Sequence, residues 1–260
     1  MAPRNPAIAT PSPAQPASGN KVIAGSLVIV SAGVMAVNHV TIEAQGWIKH
    51  ADKVFCWAVD PVTERWIAGL NENAKSLESA KALSERAFKF LRAGLTVCAV
   101  HAGDITPWHE VIQRSRGEGH RAVIVPGISI EDCLFSDLGI DPLHHGVQIY
   151  RTAEFLTRRR VPDVSAGLLL RLADGAGDSP RGSCLPSLIE TLAVLYGTEH
   201  EAILYEPAHY SVCDPLILHC RIGDLAGAAV TPQTRLYVPP QEARPPDPEM
   251  LSRLAGERSG

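Results

Sequence analysis

The amino-acid sequence predicts an α/β protein built from two successive sheet-bearing subdomains, and three observations carry that reading. Short β-branched runs alternate with amphipathic stretches from Gly25 onward. Two of those amphipathic stretches open on an oxygen-bearing side chain followed by proline, at Asp60-Pro61 and Thr106-Pro107. A second set of apolar runs, with more Gly and Pro between them, begins after about residue 143.

The runs at 26–31, 53–59, 95–100 and 121–125 are too short and too β-branched for independent helices and are read as strands. Between them the apolar spacing predicts helices over 40–49, 61–70, 79–92 and 107–116. An N-cap oxygen before a proline at the first helical position marks two of these starts, because proline lacks only an N–H that the first turn leaves unpaired anyway. Strands alternating with helices at this spacing imply a largely parallel sheet covered on both faces. In the second set, apolar runs at 167–172, 202–205 and 236–238 read as strands, with a helix over 185–196 between the first two. The expected division is therefore a tail over 1–20, an N-terminal α/β subdomain over 21–142 and a smaller C-terminal one over 143–260. Residues 1–20 are rich in Pro, Ala and Ser with few bulky apolar side chains, too little to repay the entropy of ordering, so this tail is expected to be disordered.

Composition excludes several classes of function. With 260 residues, 45% of them hydrophobic, the chain can bury a core without disulfide or metal staples. A net charge of −4 creates no field that concentrates nucleic acid or an anionic membrane. The six cysteines are scattered, and Cys56, Cys98 and Cys133 sit in strand-like or core-like runs, so they read as small hydrophobes. No apolar run approaches the length of a membrane span, and the first residues lack a signal peptide's charged start and apolar middle. A cytoplasmic protein is expected.

Specific motifs add a family. Residues 25–33 (GSLVIVSAG) followed by 41–55 (TIEAQGWIKHADKVF) resemble the opening of the tetrapyrrole methylases: a strand, a small-residue turn, a helix and an Ala-Asp-x-Val strand. Residues 125–129 (VPGIS) resemble that family's Val-Pro-Gly-x-Ser element. Residues 131–141 (EDCLFSDLGID) and the run 234–240 (TRLYVPP) are similar to the borosin peptide-backbone N-methyltransferases in particular. The resemblance implies a class III S-adenosylmethionine (SAM) methyltransferase fold, with a largely parallel N-terminal sheet and a mixed C-terminal sheet. It also implies a homodimer that binds SAM between its subdomains and releases S-adenosylhomocysteine (SAH).

Site residues follow from placement and from the resemblance together. Loops at the carboxyl ends of parallel strands form a crevice faced by helix N-termini and free backbone groups. His101, Ala102, Gly103, Asp104 and Ile105 follow the strand ending at Val100, where the family carries its SAM-cradling loop. Gly103 lets backbone approach a ligand closely, and Asp104 is placed to face a cationic group; the alternative is that Asp104 caps the helix that follows. Ser129 and Ile130 occupy the matching position after the next strand. By resemblance, further SAM contacts fall at Leu172, Ala173, Tyr205, Glu206 and Thr234.

The sequence also departs from the family. Borosin enzymes carry a Tyr- and Arg-rich insertion that supplies their proposed catalytic side chains, whereas residues 71–86 here contain no tyrosine. The cofactor loop is compressed into residues 102–107. An amide nitrogen is a poor nucleophile, so its methylation needs a base or hydrogen-bond donors and close alignment with the methyl group. His101 and Asp104 are the candidate catalytic residues, with His39 as an outsider; the competing reading makes the two histidines ordinary polar groups at a strand end and a turn.

The expected activity is SAM-dependent methylation of a peptide backbone amide or another small nitrogen or carbon nucleophile. Because the sequence ends at Gly260, shortly after Pro239-Pro240, the acceptor is expected on a separate chain. Two alternatives stay open: a divergent SAM-binding homologue without methyl transfer, and a corrin or porphyrin C-methyltransferase. Metal binding at His144-His145 or around Cys213, His219 and Cys220 is not expected, because neither has zinc-ligand spacing and adjacent histidines point apart in an extended chain. Arg151, Arg158, Arg159 and Arg160 read as a solvated helix face, with guidance of an acidic peptide as the alternative. Gly175 and Gly177 lack the spacing and strand-to-helix context of a dinucleotide fingerprint.

Overall fold

A computed structural model describes residues 24–102, 108–172, 184–242 and 245–257. In chain order the first half forms β1 (Ser26–Ser31), α1 (Ile42–His50), β2 (Lys53–Trp57), α2 (Pro61–Leu70), β3 (Ala74–Ser76), α3 (Ala80–Leu91), β4 (Thr96–His101), α4 (His109–Gly117), β5 (Arg121–Val125) and α5 (Ile130–Leu138). Its strands pair in parallel in the order β3-β2-β4-β1-β5. Alternation along each strand sends side chains to opposite faces. Leu27, Ile29, Phe55, Val97 and Ala99 pack with Leu83, Phe88, Leu91 and Ile112 of α3 and α4. Val28, Val30, Val54, Cys98 and Val100 pack with Ile48 and Ile67 of α1 and α2.

Local chemistry fixes the helix starts. Asp60 accepts from the Val62 and Thr63 amides, each at 2.9 Å, before Pro61. Thr41 caps α1 and Ser79 caps α3, each accepting an amide three residues on. The predicted Thr106 cap lies outside the described residues, as does the 1–20 tail.

The second half forms β6 (Val147–Arg151), α6 (Thr152–Thr157), β7 (Gly167–Arg171), α7 (Leu185–Tyr196), β8 (Glu201–Glu206), β9 (Leu216–Arg221), a 3-10 turn (Ile222–Gly227), β10 (Arg235–Val238) and α8 (Pro248–Glu257). The sheet order is β6-β7-β10-β8-β9, with β6 parallel to β7 and the other pairs antiparallel, so the sheet is mixed. One face packs Leu168, Leu170, Leu204 and Leu236 against Leu188 and Leu192 of α7. The other packs Leu169, Ile203, Tyr205 and Tyr237 against Ile130 and Leu134 of α5, and against Val34 from the loop after β1. Helix α5 thus carries the first half onto the second sheet. Among the described residues, no helix is long and apolar enough to cross a membrane.

Several expectations need correction. The strand predicted over 53–59 stops at Trp57, because Ala58 turns into a positive φ of 53°. The helix predicted over 40–49 starts two residues later, at Ile42, because Thr41 is its extended N-cap. β3, β6 and β9 have no counterpart in the sequence reading: the first is three residues long, and the other two are half-exposed edge strands. Helix α5 likewise has no counterpart in the sequence reading, although its Ser129 and Asp132 make a reciprocal capping box. His144 and His145 do not point apart: their chain turns, and the ring centroids lie 4.1 Å from each other. Arg158 and Arg160 pair with Glu154 at 2.9 and 3.6 Å on an exposed surface, as a solvated face requires.

Candidate functional site

Two rows of residues at strand ends come together where α5 joins the halves. The first row is Trp57, His101 and Ser31, in register across β2, β4 and β1 at the carboxyl edge of the parallel sheet. Ala32 donates to the His101 carbonyl at 2.8 Å, continuing the ladder one residue past the strand. Ser31 Oγ accepts from the Gly33 amide at 3.1 Å. Beyond β5 the chain at Gly127 passes so near Ser31 that a β-carbon there would stand 2.9 Å from its Oγ. Only glycine permits that approach.

Ser129 and Ile130 follow directly, but their side chains are already committed. Ser129 Oγ accepts from the Asp132 amide at 3.0 Å and donates to its carboxylate at 2.7 Å, while Ile130 is buried against the second sheet. What this segment offers a ligand is the amide-rich first turn of α5.

The second row is Leu172, Thr234 and Glu206, at the matching ends of β7, β10 and β8. Leu172 donates to the Thr234 carbonyl at 3.5 Å. The Glu206 carboxylate accepts from the hydroxyls of Thr234 and of Thr231, the latter at 2.8 Å, and the Thr231 amide donates to Thr234 Oγ1 at 2.7 Å. Tyr205 belongs to the same strand end but turns the other way. It is fully buried, and its hydroxyl donates to Asp137 of α5 at 2.7 Å; burial first, then that bond, push its ionisation well above the ordinary phenol range. Its side chain ties the halves together.

The two rows are linked by the loop after β1 and by a charged cluster. Ala36 donates to the His209 carbonyl at 2.9 Å, joining the loops that follow β1 and β8. Glu131 of α5 pairs with Arg235 at 3.0 Å and Arg171 at 3.6 Å, and Arg235 also donates to the Gln233 carbonyl at 3.2 Å. Arg235 is only 2% exposed, so these oxygens replace the water it has lost.

His101 therefore sits at the edge of the first sheet, and Leu172, Glu206 and Thr234 meet at the edge of the second. Gly103, Asp104, Ile105 and Ala173 lie outside the described residues. His39 is explained by the turn: its Nδ1 accepts from the Val34 and Met35 amides at 3.4 and 3.1 Å, and burial lowers its pKa. Sequence reading missed Trp57, Ser31 and Glu131. The signal for the first two was the alternation along their strands, which aligns each with His101 once the strand order is known.

The architecture is that of the class III methyltransferases. The chain matches the model of the tetrapyrrole (corrin/porphyrin) methylases over residues 26–226 and belongs to that family. It is 30% identical over 256 residues to the methyltransferase/ribosomally synthesized cyclic peptide gymnopeptides precursor of Gymnopus fusipes, covering 89% of this chain and 61% of the relative. The corresponding omphalotin A precursor of Omphalotus olearius is 30% identical with the same coverage. The chain thus spans about three fifths of the length of these curated relatives. Among solved structures, uroporphyrin-III-C-methyltransferase from Thermus thermophilus superposes with a TM-score of 0.61 at 20% identity, over 86% of this chain and 99% of that one. At that identity the likeness shows the fold alone.

Proposed function

We propose that this chain is a SAM-dependent methyltransferase whose acceptor is a peptide backbone amide. The observation that carries the reading is the meeting of the two rows at one junction, in a chain whose curated relatives are methyltransferases joined to ribosomally synthesized peptide precursors. The residues suit the cofactor. Glu206, fixed by two threonine hydroxyls, matches an ammonium group; the α5 first turn matches a carboxylate or hydroxyl oxygens; and Gly127 keeps the space beside Ser31 free of a β-carbon. When bound, SAM supplies a sulfonium-activated methyl group. The chain's own task is to orient the acceptor nitrogen, exclude water and take up the proton that nitrogen loses. His101, and Asp104 three positions further along the sequence, are the groups we assign to that proton. Cofactor contacts are assigned to residues 101–105, Ser129, Ile130, Leu172, Ala173, Glu206 and Thr234, with Tyr205 acting through its backbone. We further propose two subdomains divided near residue 143, a reading the two separate sheets support, and a homodimer, to be read from light scattering.

Calorimetric titration with SAM and SAH tests the cofactor assignment, and no heat with either ligand rejects it. Mass spectrometry after incubation with SAM and a candidate peptide tests the acceptor: SAH release with a 14 Da increment on peptide nitrogen is the expected result. The intact mass of the chain itself separates self-methylation from methylation of another molecule. One observation favours a second reading, SAM binding without transfer. Residues 71–86 contain no tyrosine and fold into β3 and the first half of α3, with Asn71 bonded to the Ile48 and Ala51 carbonyls at 2.8 and 2.9 Å. SAH formation rejects that alternative.

A further inference from the structure

Three aromatic rings from three elements meet at the carboxyl edge of the first sheet. Trp57 ends β2, His101 ends β4 and Trp108 immediately precedes α4. The His101 ring is stacked on Trp57, with centroids 4.7 Å apart and planes inclined by 26°. Trp108 meets both edge-on, 5.7 Å from His101 at 74° and 5.9 Å from Trp57 at 78°. His101 and Trp108 are buried, at 7% and 1% exposure, and Trp57 is half-buried. Among the described residues the indole N–H of Trp108 has no hydrogen-bond partner, so what it gives Trp57 and His101 is ring shape.

We infer that Trp57 and Trp108 are positioning residues that hold the His101 imidazole in one orientation at the cofactor end of β4. The inference rests on the reading of His101 as a proton-accepting group. Offset stacking and edge-to-face contact are the arrangements that aromatic quadrupoles favour, and together they oppose rotation of the imidazole about both side-chain torsions. A base must keep its lone pair within hydrogen-bond reach of one proton, so a ring held on a face and an edge is worth more than a free one. Packing alone gives no reason for imidazole here. The neighbouring positions on the same strand face, Val97 and Ala99, fill the same core with aliphatic groups that carry no desolvation cost. Trp108 is anchored in that core with Leu83, Phe88 and Ile112, so the clamp is mounted on the packing between α3, α4 and the sheet.

The test uses the full chain with ring-15N histidine, assigning the His101 signals by their loss in His101→Gln. Ring currents from two indoles shift the wild-type His101 ring-proton signals well away from free histidine. Trp57→Phe is expected to keep most of that shift, and Trp57→Leu to lose it and broaden the signals, while SAH affinity changes less than about threefold because the cofactor contacts assigned above remain. SAH added to the wild type is expected to move the His101 signals. Unchanged His101 signals in Trp57→Leu, or wild-type His101 signals indifferent to bound SAH, overturn the inference. Absence of any SAH heat instead rejects the cofactor reading, and the signals of the leucine and phenylalanine variants still decide whether the clamp exists. If Trp57→Leu does not fold, Trp108→Phe is the second variant: a smaller ring edge is expected to shift and broaden the His101 signals, and unchanged signals overturn the inference.

Discussion

Replacing Gly127 by alanine puts the cofactor reading at risk more directly than any change to a charged group. A β-carbon there stands 2.9 Å from both the Cβ and the Oγ of Ser31 and 3.0 Å from its carbonyl oxygen. These contacts are too short to keep, and forcing a methyl group into a packed site costs about 1–3 kcal/mol. Gly25, at the opposite end of the same sheet, is the matched control. A β-carbon there meets the Leu91 carbonyl oxygen at 2.4 Å and its Cα at 2.7 Å, a clash at least as severe but remote from the strand ends of the site. A domain of ordinary stability, about 5–15 kcal/mol, survives either change, so both variants are expected to fold with a lower melting temperature. Their ligand binding should differ. Ser31 accepts from Gly33, and the same loop reaches the second row through Ala36 and the His209 carbonyl, so displacement at Ser31 disturbs both rows. If about 1.4 kcal/mol of the strain appears in the bound state, Gly127→Ala loses roughly tenfold in SAH affinity. Gly25→Ala stays within about twofold of wild type. Calorimetry at a temperature where each variant is fully folded reads the difference. A Gly127→Ala variant that binds SAH like wild type, or equal losses in both variants, refutes the placement of the cofactor at this edge.

Three further outcomes follow from the same contacts. His39 is held below its ordinary pKa by burial, so the unfolded chain binds its proton more readily; its stabilisation is complete above about pH 6.5 and is lost as pH falls below that value. Melting temperatures between pH 8 and 5 should therefore fall less steeply in His39→Gln than in wild type. Tyr205→Phe removes the bond to Asp137, but Asp137 is exposed and regains water, so chemical denaturation should show a loss of only about 0.5–1.5 kcal/mol. Phe88 is 1% exposed and carries the Arg114 guanidinium 3.9 Å above its ring, so Phe88→Ala should cost about 3–5 kcal/mol, whereas Glu118→Gln, which breaks exposed pairs to Arg92 and Arg114, should cost under about 1 kcal/mol.

Most of the first sheet was readable because its strands are buried on both faces and its helices announce their starts. Leu27 to Val30 and Val97 to Val100 form unbroken apolar runs, and Asp60-Pro61 sets the beginning of α2 to the residue. The second sheet was harder. β6 and β9 lie at its edges with solvent on one side, so their composition looks like loop. β10 was readable from Leu236 to Val238, yet its first residue, Arg235, looked polar and therefore external. It is buried because Glu131, 104 positions earlier, supplies its counter-charge. No local pattern encodes that pairing.

The site was legible as segments, and it became an arrangement only through register. Leu172, Glu206 and Thr234 were expected as separate contacts; their common row depends on β10 lying between β7 and β8, a non-sequential order that hydrophobic periodicity does not report. Glu206 and Thr234 are 28 positions apart and share a hydrogen bond. The same holds for the aromatic clamp. Trp57 and His101 are paired by the β2–β4 register, and a slip of one residue would send Trp57 to the α1 and α2 side and leave His101 without its stack. This gives the clamp a structural consequence as well as a functional one: the Trp57–His101 stack marks the register of two neighbouring strands at the carboxyl edge of the first sheet. An insertion of one residue in the tight connection between α1 and β2, near Asp52, should be absorbed there without loss of the stack. The same insertion within β2 should abolish the stack, because Cys56 and Trp57 would exchange faces.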